Sequence, residues 1–230
     1  MQGRRWHTTG LLLVTLLRVG GAPAGLRMSE DRMVFQTSYG NIEMAFYPDV
    51  APITVAHILK LGQLGGYNTN HFFRVDKGFV AQTADVANGR AIAMDDRQAA
   101  EESKHVPLEV KEHVKHDQRG LLSMARHDEP TSGGSSFSIT LGPAPHLDMH
   151  YTIFGVVTKG LETLAAFEQL DMRTEGIFVM PKERITIHSS YVYTPSSSGC
   201  QQELADLQQR FDAQAARLEK IRSSRLPGRL

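Results

Sequence analysis

Between residues 33 and 193 the strand-forming residues fall in short runs, each closed by glycine, proline or a polar cluster. Eight such runs stand out: Met33–Thr37, Ile42–Phe46, Phe72–Val75, Phe79–Ala84, Leu121–Ala125, Phe137–Thr140, Thr152–Val157 and Arg184–Tyr193. Ile42, Met44 and Phe46 alternate with Asn41, Glu43 and Ala45, the period of a strand with one buried face. Tyr39-Gly40-Asn41 reads as the tight turn of a first hairpin, because glycine accepts positive φ.

Two helices interrupt the strands. Pro48 closes the second strand, Asp49 is placed to cap a helix, and Pro52 falls in its first turn, where a missing N–H is tolerated. Val55, Ile58, Leu59 and Gly62 make its apolar stripe, and Gly65-Gly66 ends it. A second helix spans Leu161–Leu170. Residues 87–119 carry few strong formers and read as a long surface loop with one short strand. Short strands with two helices, the second near the end, predict a mainly β, closed eight-stranded antiparallel barrel capped by two α-helices.

The flanks differ from this middle. Arg4 and Arg5 precede the apolar run Gly10–Leu17, and Ala22-Pro23-Ala24 supplies small residues, the parts of a signal peptide over 1–24. A compact domain is expected over 30–194, a Pro-Ser-Gly linker over 195–200 and an amphipathic or coiled-coil helix over 201–226. In the last, Leu204, Leu207, Phe211, Gln214, Leu218 and Ile221 alternate at spacings of 3 and 4, an a/d seam that suits self-association or a partner helix. Its rival is a single amphipathic helix. Cys200, just before the seam, could cross-link a parallel pair in an oxidising compartment. The expected location is the secretory pathway (ER or Golgi lumen, or secreted). An organelle lumen reached by a transit peptide, and a weak uncleaved anchor, are the alternatives.

Composition removes other classes. One cysteine in 230 residues excludes an intramolecular disulfide framework and a multi-cysteine metal site. No apolar run reaches the about 18 residues of a stable membrane span. The zero net charge is a sum of +4 over 1–29, −6 over 30–200 and +2 over 201–230. An acidic middle argues against nucleic acid as a partner. The pairs His113/His116 and His146/His150 have ligand-like spacing but no third ligand nearby, so they read as solvated surface histidines and no metal is expected. No Ser-His-Asp spacing and no phosphate loop stands out.

The segment Phe72-Phe73-Arg74-Val75-x-x-Gly78-Phe79-Val80-x-Gln82-x-x-Asp85 resembles the F-H-R-[VI]-x-x-G-F-[MV]-x-Q-G-G-D signature of the cyclophilins. Gly40–Val55, Gly120–Ala125, Gly134–Phe137, Leu147-Asp148 and Phe154–Val157 resemble further elements of that family, in its order, across 31–192. The loop 87–119 and the stretch Glu175–Pro181 resemble a plant and algal branch with a hydrophobic leader. The resemblance implies an eight-stranded barrel with two capping helices and peptidyl-prolyl cis-trans isomerase activity on proline peptides of folding proteins.

Rotation about an X–Pro bond must break amide resonance, against a barrier of about 18–20 kcal/mol. It needs no nucleophile, metal or cofactor, only a site that binds the twisted amide better than the planar one. Twisting makes the prolyl nitrogen more basic, and a fixed cationic donor can stabilise it in a water-poor groove. By resemblance Arg74 is that donor, Phe79 floors the proline pocket, and Gln82 orients the arginine. Val80 and Leu147 keep the pocket apolar, and Ala125 contacts the peptide backbone.

Other positions depart from the family pattern. Arg126 stands in place of Asn, Ser136 of Gln, Ser138 of an aromatic wall, His146 of a Trp or His, and Tyr151 of a His or Tyr. The loop Arg126–Gly134 is one residue longer. Loss of the aromatic wall at Ser138 removes about 1–3 kcal/mol of apolar contact from a bound proline, which predicts a weak isomerase or an altered peptide preference. The alternative is a non-catalytic proline-peptide-binding module or chaperone adaptor.

Overall fold

The computed structural model describes residues 26–195. The leader expected over 1–24, the expected linker beyond Pro195 and the helix expected over 201–226 lie outside the described residues. The elements in chain order are β1 (Arg32–Thr37), β2 (Gly40–Phe46), α1 (Pro52–Gln63), β3 (His71–Asp76), β4 (Val80–Thr83), α2 (Val86–Gly89), α3 (Asp96–Glu102), β5 (Leu121–Met124), β6 (Phe137–Thr140), a 3-10 turn (Pro145–Leu147), β7 (Ile153–Lys159), α4 (Leu161–Phe167), β8 (Met172–Glu175), β9 (Phe178–Pro181) and β10 (Ile185–Tyr193).

Eight strands close a barrel in the order β1-β10-β3-β4-β6-β5-β7-β2, with antiparallel neighbours throughout. All eight expected strands are present and the expected barrel is the fold. The alternation of β2 puts Ile42, Met44 and Phe46 into the interior. There they meet Phe35, Phe72, Phe137 and Phe154, whose rings pack at centroid distances of 5.5–6.4 Å. The first turn is Ser38–Tyr39, with Thr37 paired to Gly40, one residue earlier than the spacing predicts.

α1 and α4 close opposite rims. β2 and β7 are antiparallel neighbours, so α1 leaves the barrel after Phe46 at one end and α4 after Lys159 at the other. α1 buries Val55, Ile58 and Leu61, and α4 buries Leu164 and Phe167. The turn into α4 requires glycine: Gly160 has φ +97°, and a Cβ there would lie 2.1 Å from Asn41 O.

Asp49 does not cap α1. Its carboxylate pairs with Arg27 at 2.9 Å, and the N-cap is Ala51, which has no capping side chain. The cap comes instead from Glu109, in the stretch expected to be a long surface loop with one short strand. Its carboxylate accepts from the N–H groups of Ile53 (3.1 Å) and Thr54 (2.8 Å) and from Thr54 Oγ1 (2.8 Å).

Residues 87–119 are correspondingly more ordered than their composition suggests. They hold the end of α2 and all of α3, which starts with a capping box between Asp95 and Gln98. The expected short strand is reduced to one bridge, Val106 to Gly133. Buried His57 of α1 donates to Glu101 of α3 at 2.9 Å, and Lys104 adds a second donor at 2.6 Å. Desolvation alone would raise the Glu101 pKa, but these two donors outweigh it and hold the carboxyl below its ordinary value. β8 and β9, absent from the eight expected runs, form a separate two-stranded hairpin outside the barrel.

Candidate active site

Directly opposed residues on neighbouring strands point to the same face of a sheet. Arg74 of β3 opposes Gln82 of β4, Gln82 opposes Ser138 of β6, and Ser138 opposes Ser123 of β5. The neighbours of Ser138, Phe137 and Ile139, are buried inside the barrel. The four residues therefore form one row across the outer wall.

A β-bulge sets the start of this row. Phe72 pairs with Thr83 and Arg74 with Gln82, so two steps on β3 match one on β4. Phe72 and Val75 are fully buried, while Phe73 and Arg74 are both partly exposed. Plain alternation from Phe72, with no bulge in the pairing, would bring Arg74 to the interior.

Phe79 sits on the turn between β3 and β4. Its N–H donates to Asp76 O (2.9 Å) and its carbonyl accepts from Leu141 N–H (2.8 Å). Glu168 accepts from Gly78 N–H at 3.0 Å and pairs with Arg119 at 2.7 Å, which fixes the turn from below. The ring thus held lies 5.1 Å from the His146 ring and 5.2 Å from the Arg74 guanidinium carbon. Arg74, Phe79 and His146, expected together, are together.

Arg74 keeps about a fifth of its side chain exposed and has one hydrogen-bond partner among the described residues, Asp76 Oδ2 at 3.2 Å. Most of its five N–H donors are therefore uncommitted. Gln82 does not bond the arginine here; its Nε2 donates to Ser136 Oγ at 3.3 Å, and that hydroxyl donates to Thr83 O at 2.7 Å. Val80 is buried and Leu147 half-buried, so both supply apolar surface. Ala125 lies at the far end of the row, where its N–H donates to Ser136 O at 3.2 Å.

Arg126 is turned to its own loop. Its guanidinium donates to the carbonyls of His150 (2.7 Å), His127 (2.7 Å) and Asp128 (3.0 Å), and lies 5.1 Å from the Tyr151 ring centroid. It holds the long 126–134 loop and Tyr151 in one arrangement. Ser138 is half-buried and leaves the middle of the row without an aromatic ring.

His116 is not a solvated surface histidine. It is 1% exposed, and the fold brings it between Asp148 and Ser123. A carboxylate only accepts, so Nδ1–H donates to Asp148 Oδ1 (3.0 Å) and Nε2 accepts from Ser123 Oγ (2.9 Å). The His116 backbone N–H adds a bond to the same carboxylate at 2.7 Å. Ser123 is 2% exposed, which rules it out as an external nucleophile; this Ser-His-Asp set is a clamp. It fastens Asp148, next to Leu147 and the 3-10 turn bearing His146, onto β5. Burial lowers the His116 pKa, and Asp148 opposes the shift without reversing it.

Among the described residues no group of three or more His, Cys, Asp or Glu could hold a metal ion, and no helix is long and apolar enough to cross a membrane. A surface depression of about 320 Å³ lies elsewhere, lined by Val34, Asn41, Glu43, Lys159, Tyr191 and Tyr193 on the other strands of the barrel. It contains none of the residues of the row.

The family model described as cyclophilin type peptidyl-prolyl cis-trans isomerase/CLD matches residues 32–192. The chain is 52% identical over 219 residues to peptidyl-prolyl cis-trans isomerase CYP23 of Arabidopsis thaliana, covering 95% of this chain and 96% of that one. It is 38% identical over 139 residues to the mouse peptidyl-prolyl cis-trans isomerase-like 3, across 60% of this chain and 82% of the relative. A Cryptosporidium parvum cyclophilin-type isomerase, crystallised in the presence of the dipeptide Ala-Pro, superposes with a TM-score of 0.61 at 27% identity, over 71% of this chain and 99% of its own. The closed eight-stranded barrel, the family model over residues 32–192 and a relative matched almost end to end agree: this chain belongs to the cyclophilin-type peptidyl-prolyl cis-trans isomerases.

Proposed function

We propose that the chain isomerises X–Pro bonds in proline-containing peptides and unfolded proteins, with Arg74 as the donor to the twisting amide. The observation that carries this reading is the Arg74 guanidinium 5.2 Å from Phe79, with one hydrogen bond made and most donors free. The proline ring packs on Phe79 between His146 and Leu147. As the amide twists, its nitrogen gains a lone pair that Arg74 N–H groups meet, while resonance in the planar forms offers no such acceptor. The interaction strengthens only at the transition state, which makes it catalytic. Gln82 and Ala125 steady the peptide backbone along the row. Ser138 leaves one side of the pocket open, so turnover is weaker than with an aromatic wall.

Residues 1–24 direct the chain into the secretory pathway, the organelle lumen being the alternative, and residues 201–226 pair with a second copy or a partner helix. The support for both is the sequence: basic Arg4 and Arg5 before an apolar run, and a 3,4-spaced apolar seam behind Cys200. The mature N-terminus by mass spectrometry, and light scattering with non-reducing gels, test the two claims.

The central experiment is a prolyl-isomerisation assay on a small X-Pro peptide panel. Arg74→Ala is expected to lower kcat/KM about 10²- to 10³-fold, the range for removal of one preorganised donor. Wild-type protein that binds a panel peptide and isomerises none is instead a proline-peptide-binding module.

A further inference from the structure

Among the described residues the β8–β9 hairpin pairs with no barrel strand, yet β9 stands against β3. Phe178 packs its ring on Phe73 at 5.5 Å and 70°, the residue that the bulge turns outward. The same ring lies 5.7 Å from the guanidinium carbon of Arg74, which is also 5.2 Å from Phe79. Arg74 is thus flanked by two aromatic rings from different parts of the chain.

Hydrogen bonds alone do not fix this side chain. Asp76 supplies one, at 3.2 Å, and the Nε atom is buried without an acceptor. A long side chain with one such tether keeps rotamer freedom that it must lose before it can meet a substrate nitrogen. A buried N–H beside aromatic rings is what a cation–π contact tolerates, because the ring face takes the place of an oxygen. The hairpin is well anchored for the task. Met172 packs on the core, Pro181 is buried, and Lys182 N–H bonds Asp171 O at 2.8 Å across its base.

We propose that Phe178 is a positioning residue for Arg74, holding the guanidinium from the hairpin side while Phe79 holds it from the pocket side. The inference rests on the reading of Arg74 as the donor to the prolyl nitrogen. Phe178 acts through the arginine and touches no reacting atom.

The test uses the full chain with Phe178→Leu, which keeps apolar bulk and removes the ring, and Phe178→Tyr, which restores the ring. Loss of a partly buried cation–π contact predicts a kcat/KM about three- to tenfold lower for Phe178→Leu, with recovery to within about twofold in Phe178→Tyr. The dissociation constant for an Ala-Pro-containing peptide, measured by calorimetry, is expected to be unchanged in both. Wild-type activity in Phe178→Leu, or no recovery in Phe178→Tyr, overturns the proposal. A second readout does not depend on turnover. The Arg74 Nε–Hε NMR signal is expected to be ring-shifted upfield in the wild type and to move back in Phe178→Leu; an unmoved signal also overturns it. If the signal moves but Arg74→Ala isomerises normally, the clamp is real and the catalytic reading of Arg74 is what falls, and the positioning role with it.

Discussion

Glu109 caps α1 across 55 residues of sequence, with its carboxylate on Thr54 N–H and Thr54 Oγ1, both at 2.8 Å. Its own N–H donates to Thr152 Oγ1 at 2.9 Å, so the cap is seated on the residue preceding β7. One side chain ties the helix at one rim of the barrel to the loop that runs over it.

The cap is testable by stability. Glu109→Ala removes the acceptor of two backbone N–H groups and a negative charge at a helix N-terminus, a loss of about 1–2 kcal/mol. Urea unfolding is expected to show an earlier midpoint at unchanged slope. Glu109→Gln, which keeps an acceptor oxygen, is expected to lose about half as much. Equal midpoints for Glu109→Ala and wild type would remove the cap from the account of α1.

The open side of the proline pocket makes a prediction of opposite sign. Ser138 points outward between Gln82 and Ser123, and the two residues beside it face the core. Ser138→Phe adds an aromatic wall without disturbing the barrel interior. An added contact of about 1–3 kcal/mol predicts a rise of about tenfold to hundredfold in kcat/KM on a small X-Pro peptide. A rate that stays level or falls would show that another group already fills that side.

Acid should loosen the 3-10 turn that carries His146. The folded-state pKa of His116 lies below its ordinary 6.5, because burial disfavours the cation more than Asp148 favours it. The folded state then binds fewer protons than the unfolded state. Stability from neutral His116 is full above pH 6.5 and is lost as pH falls toward the lowered folded value. Asp148 is also held low: desolvation raises its pKa, but the His116 N–H and ring outweigh that, so its contribution fades at lower pH still. In thermal melts from pH 7 to pH 5, His116→Gln is expected to show a shallower decline than wild type, from a lower starting point. Parallel curves would exclude His116 as the titrating group.

The parts legible in the sequence are those set by local period or by a fixed motif. Ile42, Met44 and Phe46 announced β2, because one face of that strand is dry. Arg74, Phe79 and Gln82 were legible because one turn and one strand pair bring them together within nine residues. Longer-range features left no such trace. The bulge at Phe73 is a relation between two strands, invisible in either. Glu109 and Asp148 meet partners 55 and 32 residues away, and their own neighbourhoods are polar and aperiodic. The β8–β9 hairpin exposes Arg173, Thr174 and Glu175 in succession, so β8 shows no alternation. For α3 a signal existed: Asp95 with Gln98 three residues on is a capping-box spacing ahead of a helix.

The bulge on β3 and the detached hairpin beside it differ in what they allow to change. Pairing these same residues with β4 by plain alternation from Phe72 would send Arg74 into the barrel and turn Val75 out, so the register of β3 is tied to the position of one guanidinium. The hairpin shares no strand pairing with the barrel, and residues can be added or exchanged at Gly176-Ile177, short of Phe178, without shifting any barrel strand. Its tip, where Ile177 is 84% exposed, is therefore free to diversify beside a rigid site. Grafting confined to Gly176-Ile177, with Phe178 kept, would vary the surface beside the site while the arginine and the pocket floor stay fixed.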